Sequence, residues 1–205
     1  MIRVLICTIL FFAMLESVLA GYVPKAFLGE FVQTKKSIIS GNIETDISLK
    51  YQFKGNVYMH SKGDDDEKIY VCNPEKVWIY TPPLFEGEKG EVLIGNSSVH
   101  CLSKIFDKLS FGLKSNSEYQ VKKLNDKVYE LSFSEDNEKR LGYYKFELNY
   151  NNKDAKFSQL ESMKMFTRND ENPTILTTKK LSVKKGFKSS TFRFTPPKNT
   201  NTNFL

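Results

Sequence analysis

The chain is poor in the residues that do chemistry. Its 205 residues include two histidines, His60 and His100, three cysteines and one tryptophan. Neither histidine sits at a spacing that binds a metal or activates a nucleophile, and there is no Gly-x-Ser-x-Gly, phosphate-binding loop or His-Glu-x-x-His run. A Cys101 nucleophile with His60 is formally available, but a pair of cysteines in an exported chain has a simpler account. The expectation is a binding protein, not an enzyme, with no metal and no cofactor.

Long apolar runs are also missing. A membrane-spanning helix needs about 20 apolar residues, and the first apolar run, 4–15, has twelve. It follows the positive Met1-Ile2-Arg3 and precedes Glu16-Ser17-Val18-Leu19-Ala20, so 1–20 reads as a secretory signal peptide cut after Ala20. Position 21 is glycine and not the cysteine that would carry a lipid, so the exported chain is expected to be unanchored. Residues 21–205 show no repeat and no flexible linker, which predicts one domain.

Charge of one sign is not concentrated anywhere. Thirty Lys and Arg against 24 Asp and Glu give +6, but the lysines are scattered and form no basic arm or aromatic-basic platform, so nucleic acid is not the expected partner. The acidic stretch 64–67 lacks the alternating ligands, central glycine and distal Glu of a calcium loop, and reads as a solvated hairpin tip. Loss of the signal removes Cys7 and leaves Cys72 and Cys101. The alternatives are a disulfide and two buried thiols, and an oxidising compartment favours the disulfide.

What the chain has in quantity is alternation. In 69–83, I-Y-V-C-N-P-E-K-V-W-I-Y-T-P-P, two apolar runs flank Asn73-Pro74-Glu75-Lys76 and read as a hairpin that Pro82 and Pro83 stop. Short strands with tight turns are expected over 34–62, and a meander of strands over 119–194. Residues 21–33 carry Tyr22, Ala26, Phe27, Phe31 and Val32 at a spacing that predicts a short helix. A second, strongly amphipathic helix is expected where Val99, Leu102, Ile105, Phe106, Leu109 and Leu113 recur at threes and fours, capped near Asn96–Ser98 and ended near Gly112.

These elements make a mainly β protein with a few helices, a single antiparallel sheet that must cover an apolar face. Either it closes into a barrel or it stays an open half-barrel with helices on its concave side. The expected lining is Trp78, Val99, Leu102, Phe106, Leu109, Phe133, Phe146, Met163 and Met165, the methionines suiting a surface that accepts variable apolar guests. For each of these residues taken alone, plain core packing is the default.

The order of elements, together with Phe31-Val32-Gln33, the turn before Val77-Trp78-Ile79-Tyr80, and Phe192-Arg193-Phe194-Thr195-Pro196-Pro197, resembles the periplasmic outer-membrane lipoprotein carrier family, LolA. The resemblance covers nearly all of 21–205. It implies an eleven-stranded half-barrel under a helical lid. It also implies a monomeric periplasmic carrier that takes lipoprotein acyl chains from an inner-membrane release transporter and hands them to an outer-membrane acceptor. A helix over 98–113, held mainly by apolar contacts, would then open to release the chains. One departure stands out. Where the family places an Arg-Pro pair whose arginine tethers the lid, this chain has Tyr58-Met59-His60-Ser61-Lys62, so His60 or Lys62 is the candidate tether. Two alternatives differ in function. One is a periplasmic sensor or regulatory domain of the same fold that binds lipid or lipoprotein without ferrying it. The other is a secreted small-lipid-binding barrel, in which Asn96-Ser97-Ser98 would be a glycosylation acceptor.

Overall fold

The computed structural model describes residues 21–37, 41–64, 66–97 and 101–205. The expected signal peptide therefore lies outside the described residues. Among those described, no helix is long and apolar enough to cross a membrane.

Twelve strands form one curled, open sheet: β1 Ala26–Ser37, β2 Gly41–Gln52, β3 Asn56–Lys62, β4 Glu67–Cys72, β5 Lys76–Thr81, β6 Gly90–Asn96, β7 Tyr119–Lys123, β8 Val128–Phe133, β9 Lys145–Tyr150, β10 Leu160–Phe166, β11 Thr174–Val183 and β12 Thr200–Phe204. Helix α1 spans Ser103–Leu109 and α2 spans Glu135–Leu141. The strand order is β12-β6-β5-β4-β3-β2-β1-β11-β10-β9-β8-β7. The first strand thus sits mid-sheet, and the chain must cross the sheet twice. After β6 it passes to the far edge at β7 and carries α1 over the inner face. After β11 it returns over the outer face to lay β12 parallel to β6. This parallel twelfth strand departs from the all-antiparallel sheet, and from the eleven strands, that the sequence suggested.

The alternation of side chains fixes which residues each crossing covers. Phe27, Phe31, Ile47, Leu49, Tyr51, Val57, Tyr70, Cys72 and Val77 face inward and join one apolar core with Phe146, Leu148, Met163 and Met165. Val71, Tyr80 and Val92 are buried on the outer face, where Phe192 is also buried and Phe194 stacks on Tyr80 with ring centroids 5.3 Å apart. Phe192 and Phe194 therefore cover the sheet and do not continue it as strands.

Two expectations for the helices are corrected. The segment 21–33 is not helical: β1 begins at Ala26 and pairs with β2 along its whole length, Phe27 opposite Tyr51 and Phe31 opposite Ile47. A four-residue spacing such as Phe27 to Phe31 suits both a helix face and one face of a strand, and pairing on both sides decides for the strand. Among the described residues after position 100, the second helix runs only Ser103–Leu109, with Leu102 as its N-cap residue and Gly112 turning the chain at φ +88°. Helix α2 was not anticipated within the meander. Its signals are ordinary ones: Ser134 before it, Glu135, Asp136 and Glu138 in its first turn, Lys139 and Arg140 in its last, and Gly142 in the left-handed region after it.

Candidate functional site

The inner face between the sheet and α1 is not completely filled. Cross-strand neighbours build the floor: Met59 lies opposite Leu49, Ile47 opposite Phe31, Gln33 opposite Leu176, and Leu176 opposite Met163. Leu102, Ile105 and Phe106 of the helical segment close the top, leaving a cavity of about 130 Å³ that Met165 also lines. Gln33 is the one polar side chain on that surface. An apolar cavity of roughly 150 Å³ stays dry and accepts a benzene-sized guest, so this space suits about six carbon atoms.

Two local irregularities lie in the strands around it. The register of β10 slips between Leu160 and Ser162. Leu160 therefore shares the inner face with Met163 and Met165, although strict alternation would put it on the other side. In β1 the register against β11 slips between Glu30 and Phe31. The Phe31 ring folds back over Gly29, so that a Cβ at position 29 would overlap the ring.

Helix α1 is fastened at both ends. Ahead of it, Cys101 forms a disulfide with Cys72 at the end of β4, with Cα atoms 5.9 Å apart, and the Leu102 amide donates to the Tyr70 hydroxyl at 2.9 Å. Within it, Phe106 packs against Phe27 and Tyr51 with ring centroids 5.3 Å away in each case, and the Tyr51 hydroxyl donates to Asp107 Oδ1 at 2.7 Å. Beyond it, the Tyr22 amide donates to the Ser110 carbonyl at 3.2 Å. Tyr119 Oη donates to the Gly112 carbonyl at 2.6 Å, and Lys108 pairs with Glu118. Burial pushes the Tyr70 phenol up to about 12, partly opposed by the Leu102 N–H. Burial first, and then the hydrogen bond and negative charge of Asp107, push Tyr51 far above the usual phenol range. Both therefore act as neutral hydroxyls. Beyond the expected apolar contacts of Leu102, Ile105, Phe106 and Leu109, one covalent bond and several polar ones tie the helix to the sheet.

The predicted site residues divide accordingly. Leu102, Phe106, Met163 and Met165 line the cavity. Leu109 and Phe146 are buried in the core beside it, and Phe133 is a partly buried neighbour that meets Phe146 edge to face with ring centroids 4.9 Å apart. Val99 lies outside the described residues. Trp78 is placed elsewhere: it alternates with the inward Val77, pairs across with Val71 and Ile94, and faces a groove on the outer side of the sheet. His60 and Lys62 are not tethers of the helix. His60 alternates with Met59, which packs on the core, and its Nε2 contacts Glu67 Oε1 at 2.7 Å on the other face; Lys62 lies at the open end of β3 beside the 63–67 tip. In that tip Asp66 pairs with Lys68 at 2.8 Å. Sequence reasoning missed Phe31, Gln33, Ile47, Leu49, Met59, Ile105 and Leu176 as lining. It also missed the fastening of α1 by Tyr51, Tyr70 and Asp107. The shared parity of Ile43, Ile47, Leu49 and Tyr51 was the available signal for part of the floor.

No protein-family model matches the chain, and no curated protein does. A solved structure of a domain from Vibrio parahaemolyticus, described as an outer membrane lipoprotein-sorting protein, aligns over 84% of this chain and 90% of its own, with 12% identity and a TM-score of 0.36. At that level the likeness says nothing about what this chain binds.

Proposed function

We propose that this protein is an exported carrier that holds an acyl chain of a lipidated cargo on the inner face of its half-barrel and passes it between membranes, without catalysis. The observation that carries the reading is the apolar cavity between strands β1, β2, β3, β10 and β11 and a helix fastened to the sheet. Non-directional burial of methylenes needs no chemistry beyond such a surface. About six methylenes at ~0.8 kcal/mol each contribute roughly 5 kcal/mol, a dissociation constant on the order of 0.1 to 1 mM for that segment alone. Longer chains gain more by continuing along the inner face toward Ile43, which pairs with Lys35 in line with the floor and is 47% exposed. Moderate affinity of this kind suits transfer better than storage.

Because α1 is fixed at both ends, the guest enters along the inner face from the open end, past Gln33 and Ile43, while the helix stays in place. Within this reading the donor is an inner-membrane lipoprotein-release transporter, the acceptor lies in the outer membrane, and the protein works as a periplasmic monomer after removal of 1–20. The test is titration with a synthetic diacylated lipopeptide, following its partition out of micelles. Ile105→Trp, which fills the space from a half-buried helical position, is expected to weaken binding at least tenfold while the far-UV spectrum stays unchanged. Equal binding by both proteins would refute the cavity as the site.

A further inference from the structure

The outer face carries a groove separate from the inner cavity. The β4–β5 turn and the segment returning toward β12 stand apart by an open groove of about 560 Å³, with Trp78 on its floor and Phe194 beside it. Both walls are fixed by one side chain. Asn73 Oδ1 accepts from the Glu75 and Lys76 amides at 2.9 and 3.0 Å, and its Nδ2 donates across to the Phe192 carbonyl at 3.1 Å. Phe192 is itself buried, so the groove is formed before any ligand arrives, which lowers the cost of binding.

Several side chains along it are left unused. Some cations elsewhere have carboxylate partners: Lys145 sits between Glu130 and Glu147, and Lys179 contacts Asp46. Among the described residues the side chains of Lys76, Arg193, Glu75 and Trp78 have no hydrogen bond or ion pair. Two cations against one carboxylate favour an anion, and a planar guanidinium suits a carboxylate or phosphate. The half-buried indole offers a flat apolar surface with one N–H at its edge. The Asn56 amide, whose Nδ2 already donates to the Lys54 carbonyl at 3.3 Å, and the Ser189 and Thr195 hydroxyls add neutral donors and acceptors, and Glu75 can accept from hydroxyls. Strand β5 is paired on both sides, with β4 and β6, so no backbone ladder is free for an added peptide strand. We infer that this groove binds an acidic saccharide: a ring whose C–H face lies on Trp78, whose anionic substituent meets Arg193 and Lys76, and whose hydroxyls reach Glu75 and Asn56.

The single tryptophan makes the test direct. Tryptophan emission is followed as the full exported chain is titrated with trigalacturonate, with neutral maltotriose, and with phosphatidylcholine vesicles that contain or lack a glucuronosyl diacylglycerol. The expected result is a saturable change with an acidic sugar and a response to maltotriose at least tenfold weaker. Exposed-site variants Arg193→Gln and Lys76→Gln are each expected to lose roughly tenfold in affinity. Equal affinity for the free and vesicle-borne acid identifies the sugar alone as the ligand; response only to vesicles bearing it identifies a glycolipid headgroup. The inference is overturned if no acidic probe gives a saturable change, if maltotriose binds equally well, or if both variants bind like the native chain.

Discussion

Removing the disulfide should destabilise the whole protein and loosen α1 first. Cys72 and Cys101 are 29 residues apart in sequence. In the chain-entropy account a loop of that length removes about 12 cal/mol/K from the unfolded ensemble, or ~3.6 kcal/mol at 25 °C. For a domain of this size each kcal/mol moves Tm by about 2–4 °C, so a fall of roughly 7–14 °C is expected. Alanine is the better replacement at both positions: Cys72 is fully buried and Cys101 is 6% exposed, so serine would add a buried hydroxyl. The local consequence follows from helix length. Seven residues are too few to hold a helix without tertiary support, and the disulfide is the covalent part of that support. Calorimetry of the Cys72→Ala/Cys101→Ala protein gives the global number, and amide exchange by mass spectrometry gives the local one. Exchange in 102–110 should rise more than in β1 and β2. A Tm within about 2 °C of the native value, or helix exchange no faster than before, would refute the view that this bond fixes the helix.

Three further outcomes follow from the same geometry. Tyr51→Phe removes the hydroxyl that donates to Asp107; since Asp107 is only half-buried and can rehydrate, urea unfolding should show a loss near the low end of the range for hydrogen bonds to charged groups, ~1.5 kcal/mol. Gly29→Ala should push the Phe31 ring off its seat and into the cavity, costing about 1–3 kcal/mol of stability and weakening lipopeptide binding severalfold in the micelle-partition assay. His60→Ala breaks only the contact with Glu67, two side chains 34% and 40% exposed. Stability should change by less than about 1 kcal/mol, and lipopeptide affinity should not change at all; a large loss of affinity would restore His60 as a tether of the helix.

The sheet was legible because alternation is a local signal. The 69–83 hairpin lies where its turn residues put it, with Asn73 bonding the amides of Glu75 and Lys76. Three things were not legible. Phe27 and Phe31 satisfy both a helical and a strand spacing, and only the pairing of β1 on both sides separates the two. The faces of isolated strands cannot be told apart from composition, so the largest aromatic, Trp78, was placed inside, whereas the path of 184–199 over the outer face gives it a partner surface there. The slip between Leu160 and Ser162 changes parity within a single strand, and no residue type in that stretch announces it. The cavity was predicted from its large side chains, yet much of its floor is made by Ile47, Leu49 and Leu176, which qualify by position alone.

Whether the inner face holds an acyl chain is tested by native mass spectrometry of the protein mixed with a diacylated lipopeptide. A one-to-one complex is expected for the native chain and almost none for Ile105→Trp under the same conditions. A complex formed equally by both proteins, or none formed by the native chain at lipopeptide concentrations of several millimolar, well above the roughly 0.1 to 1 mM expected for six buried methylenes, would contradict it.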